Sequence, residues 1–234
     1  MLSPSTSKKV LVMLSGGQDS TICLGVARKN YTEVEAIAFD YGQRHSIELD
    51  SARVLCEKYR IPLKIVKLTF FPDVVQSVLL NSASNLNEPH KDRPTVASAF
   101  VPNRNTLFLT ITHAYAQTIK AGTIYAGMCQ TDEAGFPDCR NSFAQSMQAT
   151  LNLGADTAID IITPLMWLTK AETFKLAEDS NCLDDVINIS HTCYEGDHVH
   201  KHAWGYGCGE CASCKLRAKG YENYLNEKQV VEVE

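Results

Sequence analysis

Four cysteines towards the C-terminal end, Cys193, Cys208, Cys211 and Cys214, carry the spacing of a metal knuckle. A Cys-x-x-Cys turn sets two thiolates on one side of a tight bend, which is what a tetrahedral ion requires. Here one short segment supplies three sulfurs, and Cys193 can supply the fourth. The polar neighbours Gly209, Glu210, Ser213 and Lys215 argue against four buried, unligated thiols. Zinc and an iron–sulfur cluster both suit such a set. His191, His198, His200 and His202 are competing ligands. A second cluster lies near the other end, Ser15-Gly16-Gly17-Gln18-Asp19-Ser20, directly after the apolar run Val10–Leu14. A glycine turn from a strand into a helix start aims several free backbone N–H groups at one point, at the positive end of the helix dipole. That is an anion site. No Lys-Ser or Lys-Thr follows the glycines, so this is not a Walker A loop, and G-x-G-x-x-G is absent as well. The plain alternative is an ordinary β-to-α turn.

These residues need a scaffold, and the pattern between them predicts one. Val10–Leu14, Glu33–Phe39, Ile61–Leu68, Thr123–Gly127 and Asp160–Pro164 read as strands. Apolar residues at helical spacing follow in Thr21–Ala27, in Ser46–Tyr59, from Thr106 to about Lys120, and in Ser142–Leu153. Strands alternating with helices imply right-handed crossovers and a five-stranded parallel sheet with helices on both faces. Ligands of such sheets bind at the carboxyl ends of the strands. The loop Asp40-Tyr41-Gly42-Gln43-Arg44-His45 stands at one such end, so Tyr41, Gly42, Gln43 and Arg44 should share a crevice with the glycine loop. Arg104, just before a helix on the same side, is placed to hold phosphate or carboxylate as a bidentate fork. The loop after the fourth strand gathers Asp132, Asp138 and Arg140 around Phe136. A purine-like base needs that inventory, with polar groups for its ring edge and an apolar face for stacking. Thr169-Lys170-Ala171-Glu172 is a capping box. Lys170 sits at the helix end that repels cations, and a nearby phosphate would account for it. Residues 70–102 are rich in Asn, Ser and Pro and read as an insertion, with a short helix at Asp73–Leu80.

The chain has 234 residues, 44% of them hydrophobic and 21% charged, which is enough for one substantial core. Its net charge of −5 gives no global field towards nucleic acid. The first eight residues are a polar lead-in, and the apolar run after it is too short for a signal peptide. No segment is long enough to span a bilayer, so a soluble cytoplasmic protein is expected. In that compartment nine cysteines argue against a disulfide framework. Cys23, Cys56 and Cys182 read as core residues on helical faces. The expected organisation is an α/β domain over 9–185 carrying the 70–102 insertion, a metal-binding region over 186–226, and a tail over 227–234.

Ser-Gly-Gly-x-Asp-Ser after a first strand resembles the loop of the PP-loop ATP pyrophosphatases, which cleave ATP to AMP and pyrophosphate while adenylating a substrate. Within that group, Tyr-Gly-Gln-Arg-His, Val-Pro-x-Arg-Asn, Phe-Pro-Asp-Cys-Arg and the cysteine knuckle followed by Arg217, Gly220 and Tyr221 resemble the deazaguanine synthases of queuosine biosynthesis. The resemblance implies an adenine-nucleotide hydrolase (HUP-like, Rossmann-type) fold with a C-terminal zinc knuckle of four thiolates. It implies ATP-dependent conversion of 7-carboxy-7-deazaguanine and ammonia to 7-cyano-7-deazaguanine, through an adenylated acid and an adenylated amide. The nucleotide cradle would run from Leu14 through Ser15, Gly16, Gly17, Gln18, Asp19, Ser20, Thr21, Ile22 and Cys23 to Leu24, with Asp19 turned towards magnesium. Asp19, Ser20, Arg104 and Lys170 would serve the chemistry, and Tyr41, Gln43, Arg44, Asp132, Phe136, Asp138 and Arg140 the deazaguanine. The implied partners are small molecules, with no nucleic acid or membrane, in a homodimer. A glutaminase domain of ~200 residues would not fit beside the sheet, so free ammonia is the expected nitrogen source. Two other readings compete: a PP-loop tRNA-modifying enzyme of sulfur transfer or lysidine formation, and a non-enzymatic zinc-knuckle binding module. The first would be expected to show a basic surface, and the second leaves the glycine loop unexplained.

Overall fold

The computed structural model describes residues 8–43, 47–75, 77, 96, 99–131 and 135–231. Arg44, His45 and Asp132 lie outside the described residues, as does most of the 78–98 stretch. Strands β1 (Lys9–Met13), β2 (Glu33–Asp40), β3 (Leu63–Lys67), β4 (Thr123–Tyr125) and β5 (Asp160–Ile162) form one parallel sheet in the order β3-β2-β1-β4-β5. The five strands and the parallel pairing agree with the sequence pattern. β1 is central because its residues are apolar on both faces: Val10 and Val12 enter one core cluster, with Leu14 just past the strand, and Leu11 enters the other. A strand buried on both sides has no polar face to expose, so it cannot be an edge.

Helices cover both faces. α1 (Gln18–Asn30) and α2 (Ile47–Tyr59) pack on one face with α6 (Lys170–Asp179), α7 (Leu183–Asn188) and α8 (Ala212–Val231). The short α3 (Phe71–Val74), with α4 (Arg104–Ile119) and α5 (Asn141–Ala155), packs on the other. On the first face Phe174 is fully buried, with Tyr221 and Tyr224 of α8 ringed against it. A small antiparallel ribbon of β6 (Lys201–His202) and β7 (Gly205–Tyr206) precedes α8.

Several details depart from the sequence pattern. α1 starts at Gln18, three residues ahead of the apolar run Thr21–Ala27, because Gly17 is its cap residue and both the amide and the hydroxyl of Thr21 bond to the Gly17 carbonyl. Cys182 is buried as expected, but it caps α7 from a turn rather than lying on a helix face. The short helix expected at Asp73–Leu80 is found as Phe71–Val74, and residues 78–80 are outside the described set. α8 has no apolar stripe to announce it, since its buried positions are Cys214, Arg217, Gly220 and Tyr224.

The sheet order reverses between β2 and β4 on either side of β1, and the crevice beyond the carboxyl ends at such a point is where α/β sheets hold ligands. Gly16 sets the depth of that crevice. Its φ is +92°, and a Cβ there would lie 1.9 Å from the Glu48 carbonyl oxygen and 2.8 Å from the Ala52 nitrogen. Both are backbone atoms of α2 and cannot step aside. Gly16→Ala is therefore expected to destabilise the fold by on the order of 3 kcal/mol or more. Urea unfolding of the two proteins checks this, and a loss below ~1 kcal/mol would show that the loop has slack there.

Candidate active site and metal knuckle

The glycine loop is rigid because its own hydroxyls replace missing partners. Ser20 Oγ accepts from the Gly16 amide at 3.2 Å, Ser15 Oγ accepts from the Gly17 amide at 3.2 Å, and the two hydroxyls meet at 3.1 Å. The post-β4 residue Gly127 presses against the loop, where a Cβ would stand 3.1 Å from the Asp19 carbonyl carbon and the Ser20 amide. Asp19 meets Lys170 from the first turn of α6, with Nζ at 3.0 and 3.1 Å from its two carboxylate oxygens. That pair accounts for a lysine at a helix start. Thr169 caps α6 in the expected box with Glu172, which fixes the backbone from which Lys170 reaches. Gly220 of α8 packs on the same lysine, with room for no Cβ: one would lie 2.5 Å from Lys170 Cγ.

Beyond the loop opens a cavity of about 940 Å³. Among the expected site residues, Leu14, Ser15, Gly17, Gln18, Asp19, Ser20, Tyr41, Gln43, Arg104, Phe136, Arg140 and Lys170 all line it. Thr21, Ile22, Cys23 and Leu24 do not; they are buried, the last three in the core cluster beneath α1. Gly42 and Asp138 also stand back from the wall. Asp138 is buried behind Arg104, and its carboxylate accepts weakly, at 3.4 Å, from the Asn105 amide in the first turn of α4. Burial raises its pKa, against the pull of Arg104. Arg104 donates to the Tyr41 hydroxyl at 3.3 Å. Burial by itself would lower the Arg104 pKa, but Tyr41 and Asp138 more than offset this, so the guanidinium stays charged. Phe39 and Phe108 stack 4.1 Å apart, interplanar angle 6°, and line the apolar side of the same cavity.

Tyr194, His191 and Glu48 also line the cavity, outside the expected nucleotide and substrate sets. Tyr194 follows the first knuckle cysteine, and burial pushes its hydroxyl up to about 12. His191 is buried, donates its amide to the Gly16 carbonyl at 3.0 Å, and has neither ring nitrogen hydrogen-bonded among the described residues. Glu48, in the first turn of α2, is lifted from its ordinary 4.5 to about 7, because the cavity withdraws it from water and Arg104 only partly compensates. Nothing in the Ser46–Tyr59 helical pattern assigns Glu48 a role, and only the Gly16 contact shows that this turn meets the glycine loop. A folded-state pKa above the unfolded one means that ionising Glu48 opposes folding. The cost is absent below about pH 4.5 and grows as pH rises towards 7. Glu48→Gln should accordingly melt higher than the wild type at pH 8 and alike at pH 4. Equal melting differences at both values would show that Glu48 is freely solvated.

The four knuckle sulfurs lie within 4.8 Å of one another, with Cys208 and Cys214 Sγ 3.9 Å apart. A tetrahedral ion with metal–sulfur bonds of 2.3 Å spaces its sulfurs by about 3.8 Å. Backbone amides of Cys208, Glu210, Cys211 and Cys214 point at knuckle sulfurs over 3.3–3.5 Å, as thiolates require. Gly207 leaves the needed space, since a Cβ there would sit 2.6 Å from Cys214 Sγ. Thiols this close cannot all ionise together, because thiolates repel: Cys193 is pulled down by Cys211 and Cys214, and the latter two are pushed up in return. A dication relieves that conflict, and the donor set fits one. Cys193 and Tyr194 also line the large cavity, so the knuckle forms part of its wall. Cys211→Ser should abolish the metal and the fold of this region together, given ~10–16 kcal/mol of apparent metal binding energy in zinc-finger peptides. Metal content and thermal melting check it; a metal-free variant melting like the wild type would deny the knuckle a structural role.

A parallel sheet with the order β3-β2-β1-β4-β5, a glycine loop without a Walker lysine and a crevice at the reversal point define an α/β protein of the PP-loop pattern, built to hold an anionic ligand. Residues 9–225 match the family described as queuosine biosynthesis protein QueC, and the chain belongs to that family. Relatives named 7-cyano-7-deazaguanine synthase are 47% identical in Wolinella succinogenes, over 95% of this chain and 97% of that one, and 43% identical in Helicobacter pylori strain Shi470, over 93% and 97%. Among solved structures, the chain is similar to an NH3-dependent NAD synthetase from Campylobacter jejuni, at 18% identity and a TM-score of 0.45 over 77% of this chain and 67% of that one. Family membership sets aside both the tRNA-modifying and the non-enzymatic readings. Among the described residues no helix is long and apolar enough to cross a membrane.

Proposed function

We propose that this chain makes 7-cyano-7-deazaguanine from 7-carboxy-7-deazaguanine and ammonia, consuming ATP. The observation that carries the reading is the joining, in one cavity, of the lysine-free glycine loop with Arg104, Lys170 and an aromatic wall. A carboxylate resists ammonia because it is anionic and its leaving group would be oxide. Attack of that carboxylate on the α-phosphorus makes AMP the leaving group instead. The amide formed first still holds one oxygen, and a second adenylation followed by elimination removes it. No nucleophile from the protein is needed, so its task is positioning and charge stabilisation. Ser15, Gly17 and Ser20 hold the pyrophosphate portion, with Lys170 beside it. Gly16, whose amide and carbonyl are already engaged and which stands back from the cavity wall, shapes the loop. Arg104 meets an anionic group of either substrate, and Phe136 and Arg140 border the base. Asp19 is the carboxylate next to the phosphates and suits magnesium, which binds through one or two carboxylates plus substrate phosphate. Bound there, magnesium would neutralise phosphate charge. Zinc at the knuckle is structural, since four cysteines leave no open position. Residues 9–185 furnish the nucleotide domain, and residues 186–226 the metal-bearing wall.

Nucleotide chromatography with mass analysis of the deazaguanine tests the scheme. AMP and pyrophosphate should appear, two for each nitrile, and the primary amide should accumulate when ATP is limiting. Stoichiometric ADP, or an amide unable to replace the acid as substrate, would sink it.

A further inference from the structure

The amidation scheme releases a proton that it does not place. When ammonia attacks the acyl adenylate, its lone pair forms the C–N bond. The C–O bond to AMP breaks, and the electron pair leaves with AMP. The nitrogen then carries one hydrogen too many for a neutral amide. General-base transfer of such a proton at neutral pH needs a group that is unprotonated there and not tied up in an ion pair.

Two carboxylates line the cavity among the described residues, Asp19 and Glu48. Asp19 is bonded through both oxygens to Lys170. Glu48 stands apart from that pair, and its position is fixed. Its own carbonyl closes on Gly16, so the first turn of α2 cannot move without the glycine loop. Three residues of other elements line the same cavity and act on it electrostatically: Arg104 at the start of α4, Tyr41 in the loop after β2, and Tyr194 after the first knuckle cysteine. Both tyrosines are phenols, whose ordinary value of about 10 keeps them protonated at neutral pH. Arg104 cannot accept a proton and is engaged with the Tyr41 hydroxyl. Glu48 is therefore the cavity carboxylate free of an ion pair among the described residues, and His191, whose ring nitrogens are unbonded there, is the rival acceptor that Glu48 variants separate from it.

We propose that Glu48 is the proton acceptor of the amidation step, taking one hydrogen from the attacking nitrogen as the C–N bond forms and AMP departs. The balance closes. Acyl adenylate, ammonia and the Glu48 carboxylate become primary amide, AMP and the Glu48 carboxylic acid, which returns its proton to solvent before the next turnover. This rests on the adenylation scheme above.

Glu48→Gln keeps the shape and loses the basic oxygen. Without ammonia, exchange of labelled pyrophosphate into ATP, dependent on 7-carboxy-7-deazaguanine, reads adenylation alone, and the variant should stay within about threefold of the wild type. Amide formation with ammonium should fall by ~10²–10³-fold. Glu48→Asp should recover part of that loss. In the wild type, at constant free ammonia, the amidation rate should climb with pH through about 7 and then level. Equal losses in exchange and amidation would make Glu48 a binding residue and overturn the proposal. So would a wild-type profile lacking the limb near pH 7, a measurement that needs no variant to fold. A wild type that forms amide without acid-dependent exchange or AMP would instead refute the adenylation scheme, whatever Glu48 does.

Discussion

The structure turns on the absence of a side chain at Gly16. Its amide donates to Ser20, its carbonyl accepts from His191, and its α-carbon lies against the Glu48 carbonyl of α2. Three separate parts of the chain therefore meet at one residue: the glycine loop, the helix after β2, and the segment leading into the cysteine knuckle. Only a residue with no Cβ tolerates both this backbone angle and this contact. The cavity follows from that meeting point. A loop standing further from α2 would leave Glu48 in water, and its carboxyl would then lose the reason for its raised pKa.

A second constraint explains why a metal knuckle belongs beside a nucleotide loop. Arg217 of α8 is 1% exposed and bonds to the Trp204 carbonyl at 2.9 Å and the Thr192 hydroxyl at 3.2 Å. Burial lowers its pKa to about 10, so it remains charged at neutral pH while bonded to backbone carbonyls and a hydroxyl. A buried cation of this kind is costly unless every donor finds an acceptor. Those acceptors lie in the ribbon and in the segment before Cys193, which the four sulfurs gather. The knuckle thus fixes α8, and α8 delivers Gly220 to the stem of Lys170. Metal, arginine and glycine form a mechanical chain that ends at the ion pair with Asp19.

How much of this was legible depended on whether the signal was local. The five strands are, because each is an apolar run bounded by turn residues. The capping box at Thr169 and the sulfur set are too, because spacing alone brings their atoms together. Lys170 was recognised as anomalous, but its partner Asp19 lies 151 residues away, and no periodicity reports such a contact. Glu48 was missed for the same reason. α8 was missed because its inward face is made of Cys214, Arg217, Gly220 and Tyr224, and a hydrophobic period does not see an arginine or a glycine as buried. In the other direction, Ile22, Cys23 and Leu24 follow the loop directly in sequence, yet the helix turns their side chains into the core.

Charge shows the same gap between composition and place. The chain as a whole carries −5, which tells against a polyanionic partner at long range. The cavity wall has the opposite sign: Arg104, Arg140, Lys170 and Arg217 line it, against Asp19 and Glu48. Within low-dielectric walls the local set of charges decides, because screening by water and salt is weakest there. Such a cavity attracts a nucleotide triphosphate and a carboxylated base alike, and each must surrender water to enter. Arg104 and Arg217 meet that demand already desolvated, since folding rather than ligand binding has stripped them of water. A net negative chain with a cationic cavity therefore separates two scales of charge: no long-range pull on polyanions, and a grip on anions within.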